Sequence, residues 1–410
     1  MAIWILPRRK FILNLKSVIV IVAIFIVVRQ MSSVVFLSRG ERGNLKLSAS
    51  HVTSAIKRHV KTASIAQHSD RKYTVHTYMV ASEAMMWSKV KGEDVTIATH
   101  CTSAQVHHLA SLAERWHAPI SVAVLTSDVA PLLNTITNLR RCFPPVKQHV
   151  SFHIVHTIEE DDSHEYSQTD EDTGLKVPCN LVVDQSLDAG DQSEVKNDFY
   201  PTNLLQNIAW KETLTDYIFP VDIDILPSGE LEQNFKAFVQ EQKVKDGINP
   251  VQQQRVFITP GFDMRSDIAT MPKYKAELLQ FWEKDSIFPH KSFVNYTKWK
   301  NVQANPDRSL YLDISYETEG QSPWGVYFIG SRDMPMYDDS FTEVGLSRTS
   351  QICELHLAGY KFAVLDSAFV LRKRFKKTQD SVSIGEDNAK LRTFEEELKK
   401  LYPKTDRHCV

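Results

Sequence analysis

The chain has 410 residues, which is long enough to bury a large core in one large domain or two smaller ones. Its 48 lysines and arginines balance 50 aspartates and glutamates, so the formal net charge is −2. This balance gives no electrostatic reason to expect a nucleic-acid partner, and the one basic run, residues 372–377, is typical of a solvated surface. The five cysteines are widely spaced and form no C-x-x-C pair, which argues against a zinc ribbon. One or two disulfides of undetermined pairing are compatible with this odd count.

The amino terminus has the pattern of a membrane anchor. A basic cluster, residues 8–10, precedes an apolar segment, residues 11–28, in which Lys16 can extend its amino group toward the lipid headgroups. We expect an uncleaved transmembrane signal-anchor, and the alternative is a cleavable signal peptide that would release a secreted protein. Because positive charge stays on the cytoplasmic side, residues 1–10 are predicted as a cytoplasmic tail, with the bulk of the chain across the membrane in a type II orientation.

The segment after the anchor is predicted as a stem. Residues 38–93 are polar and lack a clean hydrophobic period, apart from a helix expected near residues 73–90. The folded domain is expected over residues 94–408. An N-x-S/T sequon lies inside it at Asn295, which is either a glycosylation site in a secretory compartment or an ordinary loop asparagine.

The first half of this domain alternates strands with helices. Strands are predicted over residues 94–99, 120–125 and 150–156, and helices over residues 103–116 and 130–141. These spacings are typical of a parallel sheet with right-handed crossovers, so the predicted fold class is α/β.

A helix beginning near Tyr200 introduces the second half. Further helices are predicted over residues 231–239, 272–285, 349–358 and 388–401, and strands over residues 255–259, 324–329 and 362–365. The last of these helices is amphipathic and is expected to dock on the domain. The sequence has no P-loop, dinucleotide fingerprint, G-x-S-x-G or H-E-x-x-H motif, which removes the commonest hydrolase interpretations.

Between the two halves lies a short apolar strand, residues 217–221, that runs into Asp222 and Asp224 before Pro227 ends it. Side chains alternate across a strand, so both carboxylates are expected on the same side. A divalent cation would relieve their repulsion, and the carboxyl ends of strands are where open α/β sheets bind nucleotides. The pattern therefore favours a metal site, and the alternative is a strand end with two solvated aspartates.

Several stretches share their order with a known family. They are residues 99–102 (THCT), 120–124 (ISVAV), 200–205 (YPTNLL), 221–228 (VDIDILPS), 295–299 (NYTKW), 350–360 (SQICELHLAGY) and 398–403 (LKKLYP). Together they resemble glycosyltransferase family 49, whose xylosyl- and glucuronyltransferases act on α-dystroglycan glycans, and most closely its β-1,4-glucuronyltransferase branch. The resemblance implies a GT-A fold, a UDP-sugar donor with glucuronate as the expected sugar, a glycan acceptor on a glycoprotein, and a type II Golgi membrane enzyme. It also implies Mn²⁺ bound through Asp222 and Asp224.

The resemblance further implies roles for single residues. Donor-binding residues are implied at Thr99, His100, Asn203, Asp222, Asp224 and Arg372. Aromatic side chains that could stack on acceptor sugars are Tyr296, Trp299, Trp324 and Tyr327, and the alternative is that they belong to the core, as aromatic residues more often do. The β-linkage implied by the family implies inversion, which requires a carboxylate to deprotonate the acceptor hydroxyl. Asp263, which follows a strand on a glycine turn, is the preferred base, with Asp339 and Glu343 as alternatives.

The chain departs from its relatives at three positions near the expected donor site. Arg372 stands where they have a histidine available as a third metal ligand, Gln206 where they commonly have arginine, and Ser347 where they commonly have asparagine. An arginine is always protonated and cannot coordinate a metal, but it can pair directly with a diphosphate. Two hypotheses follow: a metal-dependent, inverting transferase, and a non-catalytic Golgi relative that binds glycans or an active transferase partner.

Overall fold

The structure, a computed structural model, describes most of the chain from residue 64 onward. The described residues are 64–68, 71–86, 94–157, 177–180, 182, 200–247, 253–302, 312–319, 325–341, 344–374 and 384–409. All of them belong to one compact unit, His59–Val410. The predicted cytoplasmic tail, residues 1–10, and the predicted anchor, residues 11–28, lie outside the described residues. Within the described ranges, no helix is both long and apolar enough to cross a bilayer.

Strands and helices follow one another along the unit. In chain order the strands are β1 (Ser64–His68), β2 (Arg71–Val80), β3 (Val95–Thr102), β4 (Ile120–Leu125), β5 (Val150–Thr157), β6 (Tyr217–Pro220), β7 (Ile225–Pro227), β8 (Arg255–Thr259), β9 (Gly261–Arg265), β10 (Ile287–Pro289), β11 (Ile314–Thr318), β12 (Tyr327–Ser331), β13 (Lys361–Leu365) and β14 (Val370–Arg374). The helices are α1 (Glu83–Met86), α2 (His108–Trp116), α3 (Val129–Cys142), α4 (Pro144–His149), α5 (Thr202–Lys211), α6 (Leu231–Asp246), α7 (Lys275–Glu283), α8 (Tyr296–Asn301), α9 (Val344–Leu357) and α10 (Ile384–Leu401). The run from β3 to β5 confirms the predicted alternation of strands and helices.

The larger sheet is built on four parallel strands. Strands β5, β4, β3 and β6 are neighbours in that order, and Ile97 of β3 is in register with Ile120 of β4. Beyond β6 the sheet continues with β12, β8, β13 and β11, and β12 runs antiparallel to both of its neighbours. Parallel strands joined by helices need cover on both faces, and the central strands are accordingly almost entirely buried. The predicted α/β class is confirmed.

The two faces of this sheet have separate cores. Ile97 packs in a cluster with the apolar faces of α2 and α3, whereas the next residue, Ala98, packs in a second cluster with α5. Successive side chains of a strand point to opposite faces, so this division follows from the strand period. The face covered by α5 also carries His100.

Part of the predicted stem belongs to the larger sheet. Strand β2 pairs antiparallel with β5, with Tyr73 opposite Thr157, and β1 pairs with β2 in turn. Tyr73 and Val75 are buried, and the residue between them is only half-buried, which is a period of two. The helix predicted near residues 73–90 is therefore wrong where β2 forms. The folded unit takes in residues 71–80, ahead of the predicted boundary at residue 94.

A smaller sheet brings distant residues together beside the D-x-D motif. Its strand order is β10, β9, β14, β7, so β14 lies between β9 and β7. Arg372 of β14 is in register with Ile225 on one side and with Asp263 on the other. Residues in register share a face of a sheet. Because β7 begins directly after Asp224, this sheet places Arg372 next to the two aspartates and Asp263 one strand beyond Arg372.

The carboxyl-terminal helix α10 docks on α9, as its amphipathic sequence predicts. Leu391, Phe394 and Leu398 pack in one cluster with apolar residues of α9, and a disulfide between Cys353 and Cys409 joins α9 to the residues that follow α10. A second disulfide, Cys142–Cys179, joins the end of α3 to a later segment. The free cysteine of the described chain, Cys101, is fully buried in β3.

We expect thiol labelling to distinguish these cysteines. Native protein should take up no alkylating reagent, because Cys101 is fully buried and its burial raises the pKa of the thiol. Denatured but unreduced protein should gain one label, on Cys101, and reduction should then expose all five cysteines. Intact-mass spectrometry measures the three states. Labelling of native Cys101, or more than one label before reduction, would contradict this arrangement.

His153 is held in β5 as a neutral imidazole. Its Nδ1 accepts a hydrogen bond from Tyr78 N at 3.0 Å, and its Nε2 lies 3.0 Å from Ser121 Oγ. The Ser121 hydroxyl donates to Ala209 O, so Nε2–H must donate to Ser121. Protonation of Nδ1 would remove the acceptor for Tyr78, and burial lowers the pKa of His153 to about 3.

The free energy of unfolding should therefore decrease as the pH is lowered from 6.5 to 4. Over this range the unfolded His153, with an ordinary pKa of 6.5, takes up a proton that the folded chain binds only near pH 3. The expected loss from this group is roughly 3 kcal/mol at pH 4. His153→Asn should reduce the difference between urea unfolding at pH 7 and at pH 4. Equal pH dependence in the wild type and in His153→Asn would refute this assignment.

Candidate active site

Asp222 and Asp224 lie in the turn that joins β6 to β7. Residues 221–224 connect the two strands, and Ile225 N donates a hydrogen bond to Asp222 O at 3.1 Å. The apolar residues on either side of Asp222 are buried in the core beneath α2 and α6, so the carboxylates face away from that core. The predicted strand is thus shorter than expected, but its alternation of apolar and acidic residues still places both carboxylates on one side.

Two arginines converge on Asp222. Arg348 of α9 donates to Asp222 Oδ1, and Arg372 of β14 donates to Asp222 Oδ2 at 2.6 Å. Nε of Arg372 also lies 3.1 Å from Asp224 Oδ2, so Arg372 connects the two carboxylates. The side chains of Arg348 and Asp222 are 20% and 22% exposed, and those of Arg372 and Asp224 are 25% and 40% exposed. We call these four residues the arginine–aspartate cluster.

Tyr327 positions this cluster. Its hydroxyl donates to Asp222 Oδ2 at 3.1 Å and accepts a hydrogen bond from Arg372 Nη2 at 3.1 Å. The guanidinium of Arg348 lies 4.1 Å from the centre of the Tyr327 ring, where a cation–π attraction holds it. Burial raises the pKa of Tyr327, so the hydroxyl keeps its proton. Tyr327 is only 4% exposed and therefore orients charged groups here, instead of presenting the sugar-stacking face considered from the sequence.

The surrounding charges fix the protonation of the two aspartates. Burial by itself would raise the pKa of Asp222, but Arg348, Arg372 and His100 more than compensate, so that the pKa lies below its ordinary value. Burial raises the pKa of Asp224, an effect that Arg372 opposes and Asp222 strengthens. Asp222 is consequently the firmly ionised member of the pair, and it anchors both guanidinium groups.

His100 lies beside the cluster in β3. Its Nδ1 is 2.8 Å from the hydroxyl of Tyr200, and burial lowers its pKa to about 4 although Asp222 acts in the opposite direction. The imidazole is therefore neutral near pH 7. Thr99 precedes it, points to the other face of the sheet and is fully buried. Of these two predicted donor-binding residues, the structure brings only His100 to the cluster.

The polar residues of α5 hold neighbouring backbone. Asn203 Nδ2 donates to Asp338 O at 2.5 Å, and Asn207 Nδ2 donates to Asp339 Oδ1 at 2.8 Å. Gln206 Nε2 donates to a carbonyl of β3 at 2.9 Å. Asn203, predicted to bind the donor, and Asp339, an alternative base, therefore contribute to the packing of α5 against the loop that follows β12.

Asp263 lies one strand away from Arg372. Its Oδ1 accepts a hydrogen bond from His290 Nε2 at 2.8 Å, and both side chains are 16% exposed. A Cβ at position 261 would come within 2.5 Å of His290 Nδ1, so Gly261 is what allows the histidine to approach. The preferred base thus adjoins the arginine–aspartate cluster. His290 was missed from the sequence because it follows a short strand without a recognisable motif.

The aromatic residues proposed for the acceptor have different surroundings. Trp299 is fully buried and its Nε1 donates to Leu365 O at 2.9 Å, so it belongs to the core and not to a sugar-binding surface. Tyr296 is half-buried, and its hydroxyl donates to Gly261 O at 2.9 Å, near Asp263. Trp324 lies outside the described residues, as does the alternative base Glu343.

Asn295, the residue of the sequon, begins helix α8. Its side chain is exposed, and its Oδ1 accepts a hydrogen bond from Lys298 N at 2.9 Å as a helix cap. The sequon is therefore at the surface, as a glycosylation site must be, and its glycosylation stays a prediction.

As arranged, the side chains around Asp222 and Asp224 do not fit a divalent cation. Both oxygens of Asp222 and one of Asp224 pair with guanidinium groups, which would repel a cation at the same point. No cluster of three histidine, cysteine, aspartate or glutamate side chains suited to a metal occurs within the described part of the chain. The predicted Mn²⁺ ligands are thus present, but they already have counter-charges from the protein.

Comparison with known proteins identifies the family. A family model described as "Glycosyl-transferase for dystroglycan" matches residues 94–403. The chain belongs to this glycosyltransferase family. It is 34% identical to beta-1,4-glucuronyltransferase 1 of Danio rerio over 78% of this chain and 76% of that protein, and 28% identical to the Homo sapiens protein of the same name over 77% and 78%. It is also 24% identical to xylosyl- and glucuronyltransferase LARGE1 of Mus musculus, over 73% of this chain and 34% of that one.

Solved structures give more distant matches to this glycosyltransferase. A crystal structure of S. aureus TarS 1-349 aligns with a TM-score of 0.37 and 12% identity, over 77% of this chain and 67% of that one. GalNAc-T7 with UDP, GalNAc and Mn²⁺ aligns with a TM-score of 0.37 and 8% identity, over 76% of this chain and 50% of that one. Matches as distant as these carry no information about the site.

Arg348 is the main site residue of this glycosyltransferase that the sequence did not reveal. It lies within α9, and a Cβ at position 325 would collide with the Cβ and the backbone of Arg348. Gly325 therefore lets the first turns of α9 approach the chain that leads into β12. Its neighbour Ser347, which was noted as a departure, is buried.

We expect Asp222 and Asp224 to differ in their effect on stability. Asp222→Asn removes the shared counter-charge of two largely buried arginines and should lower the free energy of unfolding by about 3 kcal/mol. Asp224→Asn is the matched control, because among the described residues its more exposed carboxylate forms an ion pair with Arg372 alone, and it should cost about 1 kcal/mol or less. Urea unfolding of the two variants measures the difference. Similar losses in both would contradict the anchoring role of Asp222.

Proposed function

We propose that this glycosyltransferase moves a sugar, glucuronate first among the candidates, from a UDP-sugar to a glycan acceptor on a glycoprotein. The observation that carries the proposal is the arginine–aspartate cluster at the carboxyl end of β6, beside β3. Open α/β sheets bind nucleotides at the carboxyl ends of their strands, and this end concentrates groups that recognise phosphate. The names of the relatives, glucuronyltransferases in each case, support the choice of sugar.

The proposed fold type is GT-A. It is supported by the order of the parallel strands β5, β4, β3 and β6 and by the position of the D-x-D residues directly after β6. In this arrangement Arg348 and Arg372 face the diphosphate of the donor, and His100 lies on the same side of the sheet. Since His100 is neutral near pH 7, it offers a hydrogen bond without adding charge.

The proposed reaction is a single displacement with inversion. The acceptor hydroxyl oxygen bonds to C1 of the sugar while the bond from C1 to the β-phosphate oxygen breaks, and that electron pair leaves with UDP. The hydroxyl proton passes to Asp263, because its carboxylate lies beside Arg372 and His290 Nε2–H orients it. Half-buried Tyr296, whose hydroxyl bonds to the backbone of β9, is the aromatic residue best placed for the acceptor.

The proposed location is the Golgi membrane, with the enzyme as a single-pass type II protein whose catalytic domain is lumenal. Its support is the basic cluster at residues 8–10 followed by the apolar segment at residues 11–28. The two disulfides agree with an oxidising lumen. Neither the charge balance nor the site suggests a nucleic-acid partner.

A second candidate function is a non-catalytic relative that binds a glycan or an active transferase. The observation that favours it is the full engagement of Asp222 by Arg348, Arg372 and Tyr327, which leaves the D-x-D motif without its usual task. Turnover separates the two candidates. The full-length protein, purified in detergent, would be offered xylose-terminated acceptors with a panel of UDP-sugars, with and without Mn²⁺. No UDP release from folded protein under any condition would make the non-catalytic function the better one.

For an active enzyme, we expect Asp263→Asn to lower kcat by at least about 100-fold, because the acceptor hydroxyl loses its base. The affinity for UDP should stay within about twofold, since Asp263 does not hold the diphosphate. Asp267→Asn is the matched control: it lies just beyond the same strand, is well exposed and should leave kcat unchanged. UDP release and UDP binding are measured on the same preparations. If Asp263→Asn kept the wild-type kcat, another carboxylate would have to be the base.

A further inference from the structure

The arginine–aspartate cluster contains the charge of a divalent cation without the cation. Arg348 and Arg372 together carry two positive charges, and Asp222 and Asp224 hold both of them through ion pairs. A metal bound by the same two aspartates would bring an equal charge to the same place. The protein has therefore built into its side chains what the D-x-D motif would otherwise recruit from solution.

Both guanidinium groups retain capacity for a ligand. Each arginine has five N–H donors, and the side chains of Arg348 and Arg372 are 20% and 25% exposed. A phosphate that approached from the exposed side could accept hydrogen bonds from two guanidiniums, each of which matches its oxygens in geometry and charge.

The protein holds these two groups rigidly. Arg372 lies in the middle of a strand paired on both sides, and its register with Ile225 and Asp263 is set by backbone hydrogen bonds. Arg348 is fixed by its close approach to Gly325 and by stacking on Tyr327. Groups that are already in place lose little conformational freedom when a ligand binds, so they can bind a diphosphate well.

From these contacts we infer that Arg348 and Arg372 bind the diphosphate of the nucleotide sugar directly and replace the divalent cation, so that donor binding requires no metal. The inference rests on the proposed function, because it assumes a nucleoside diphosphate donor. Asp222 is then a positioning residue: it orients the two guanidiniums and does not touch the nucleotide. During transfer the same two groups stabilise the charge that develops on the departing UDP.

Binding of UDP to the full-length protein tests the inference. Isothermal titration calorimetry would be run in EDTA and in MnCl₂ at equal ionic strength. The expected dissociation constants agree within about twofold, and affinity should fall as salt screens the guanidinium charges. Binding at least tenfold weaker in EDTA would overturn the inference while leaving the proposed donor class intact. Absence of binding in both conditions would overturn the donor class together with the inference.

Variants of the two arginines locate the diphosphate. Arg348→Gln and Arg372→Gln should each weaken UDP binding by about tenfold or more, because a charged hydrogen bond is lost, but should leave uridine binding unchanged. Arg265→Gln is the matched control, since this exposed arginine of β9 pairs with Asp267 away from the cluster. Equal loss of uridine and UDP affinity would indicate a damaged fold and would count against the inference.

Arg372→His gives the sharpest outcome, because it introduces a metal ligand beside the two aspartates. In this variant UDP binding should be weak in EDTA and recover in MnCl₂. The wild-type protein should bind UDP with the same affinity in both solutions. Mn²⁺ binding, followed by electron paramagnetic resonance, should appear only in the variant. Tight Mn²⁺ binding by the wild-type protein would contradict the replacement of metal by arginine.

Discussion

The ionised carboxylate of Asp222 is the constraint on which the site depends. A carboxylate this poorly hydrated must have counter-charges, and here it has two, contributed by residues 126 and 150 positions away in the sequence. These ion pairs join α9 and β14 to the turn after β6, so three separate parts of the chain meet at one point. Tyr327 from a fourth element completes the arrangement by bonding to both Asp222 and Arg372.

The same constraint explains how a family member can keep the D-x-D residues and change their task. Two aspartates at the end of a strand can hold a cation, or they can hold guanidinium groups that carry the same total charge. A guanidinium group is part of the protein, so no metal ion has to be taken from solution and stripped of its water. It also binds phosphate in a defined plane. It also cannot act as an adjustable Lewis acid, so the stabilisation of the leaving group depends on how well the protein positions it.

The rest of the unit provides this positioning. The four parallel strands fix the turn that carries Asp222, the smaller sheet fixes Arg372 beside Asp263, and α9 is held against α10 by an apolar cluster and the Cys353–Cys409 disulfide. Several polar residues that a motif would assign to the donor serve this framework instead. Asn203 and Gln206 hold backbone carbonyls, and buried Thr99 lies on the opposite face of β3 from His100.

The sequence by itself determined the α/β class, the alternation of elements from β3 to β5, the position of the D-x-D residues after a short buried strand, and the family. These follow from local periodicity and from short ordered motifs, which need no knowledge of distant contacts. Asp263 was expected on a glycine turn, but it lies inside strand β9. Only the tertiary structure decided that Arg348, Arg372 and Tyr327 meet at Asp222, that His290 orients Asp263, that Trp299 belongs to the core, and that residues 71–80 form a strand. Each of these depends on strand register or on helix packing between residues far apart in the chain, and a single sequence does not encode that pairing in any local pattern.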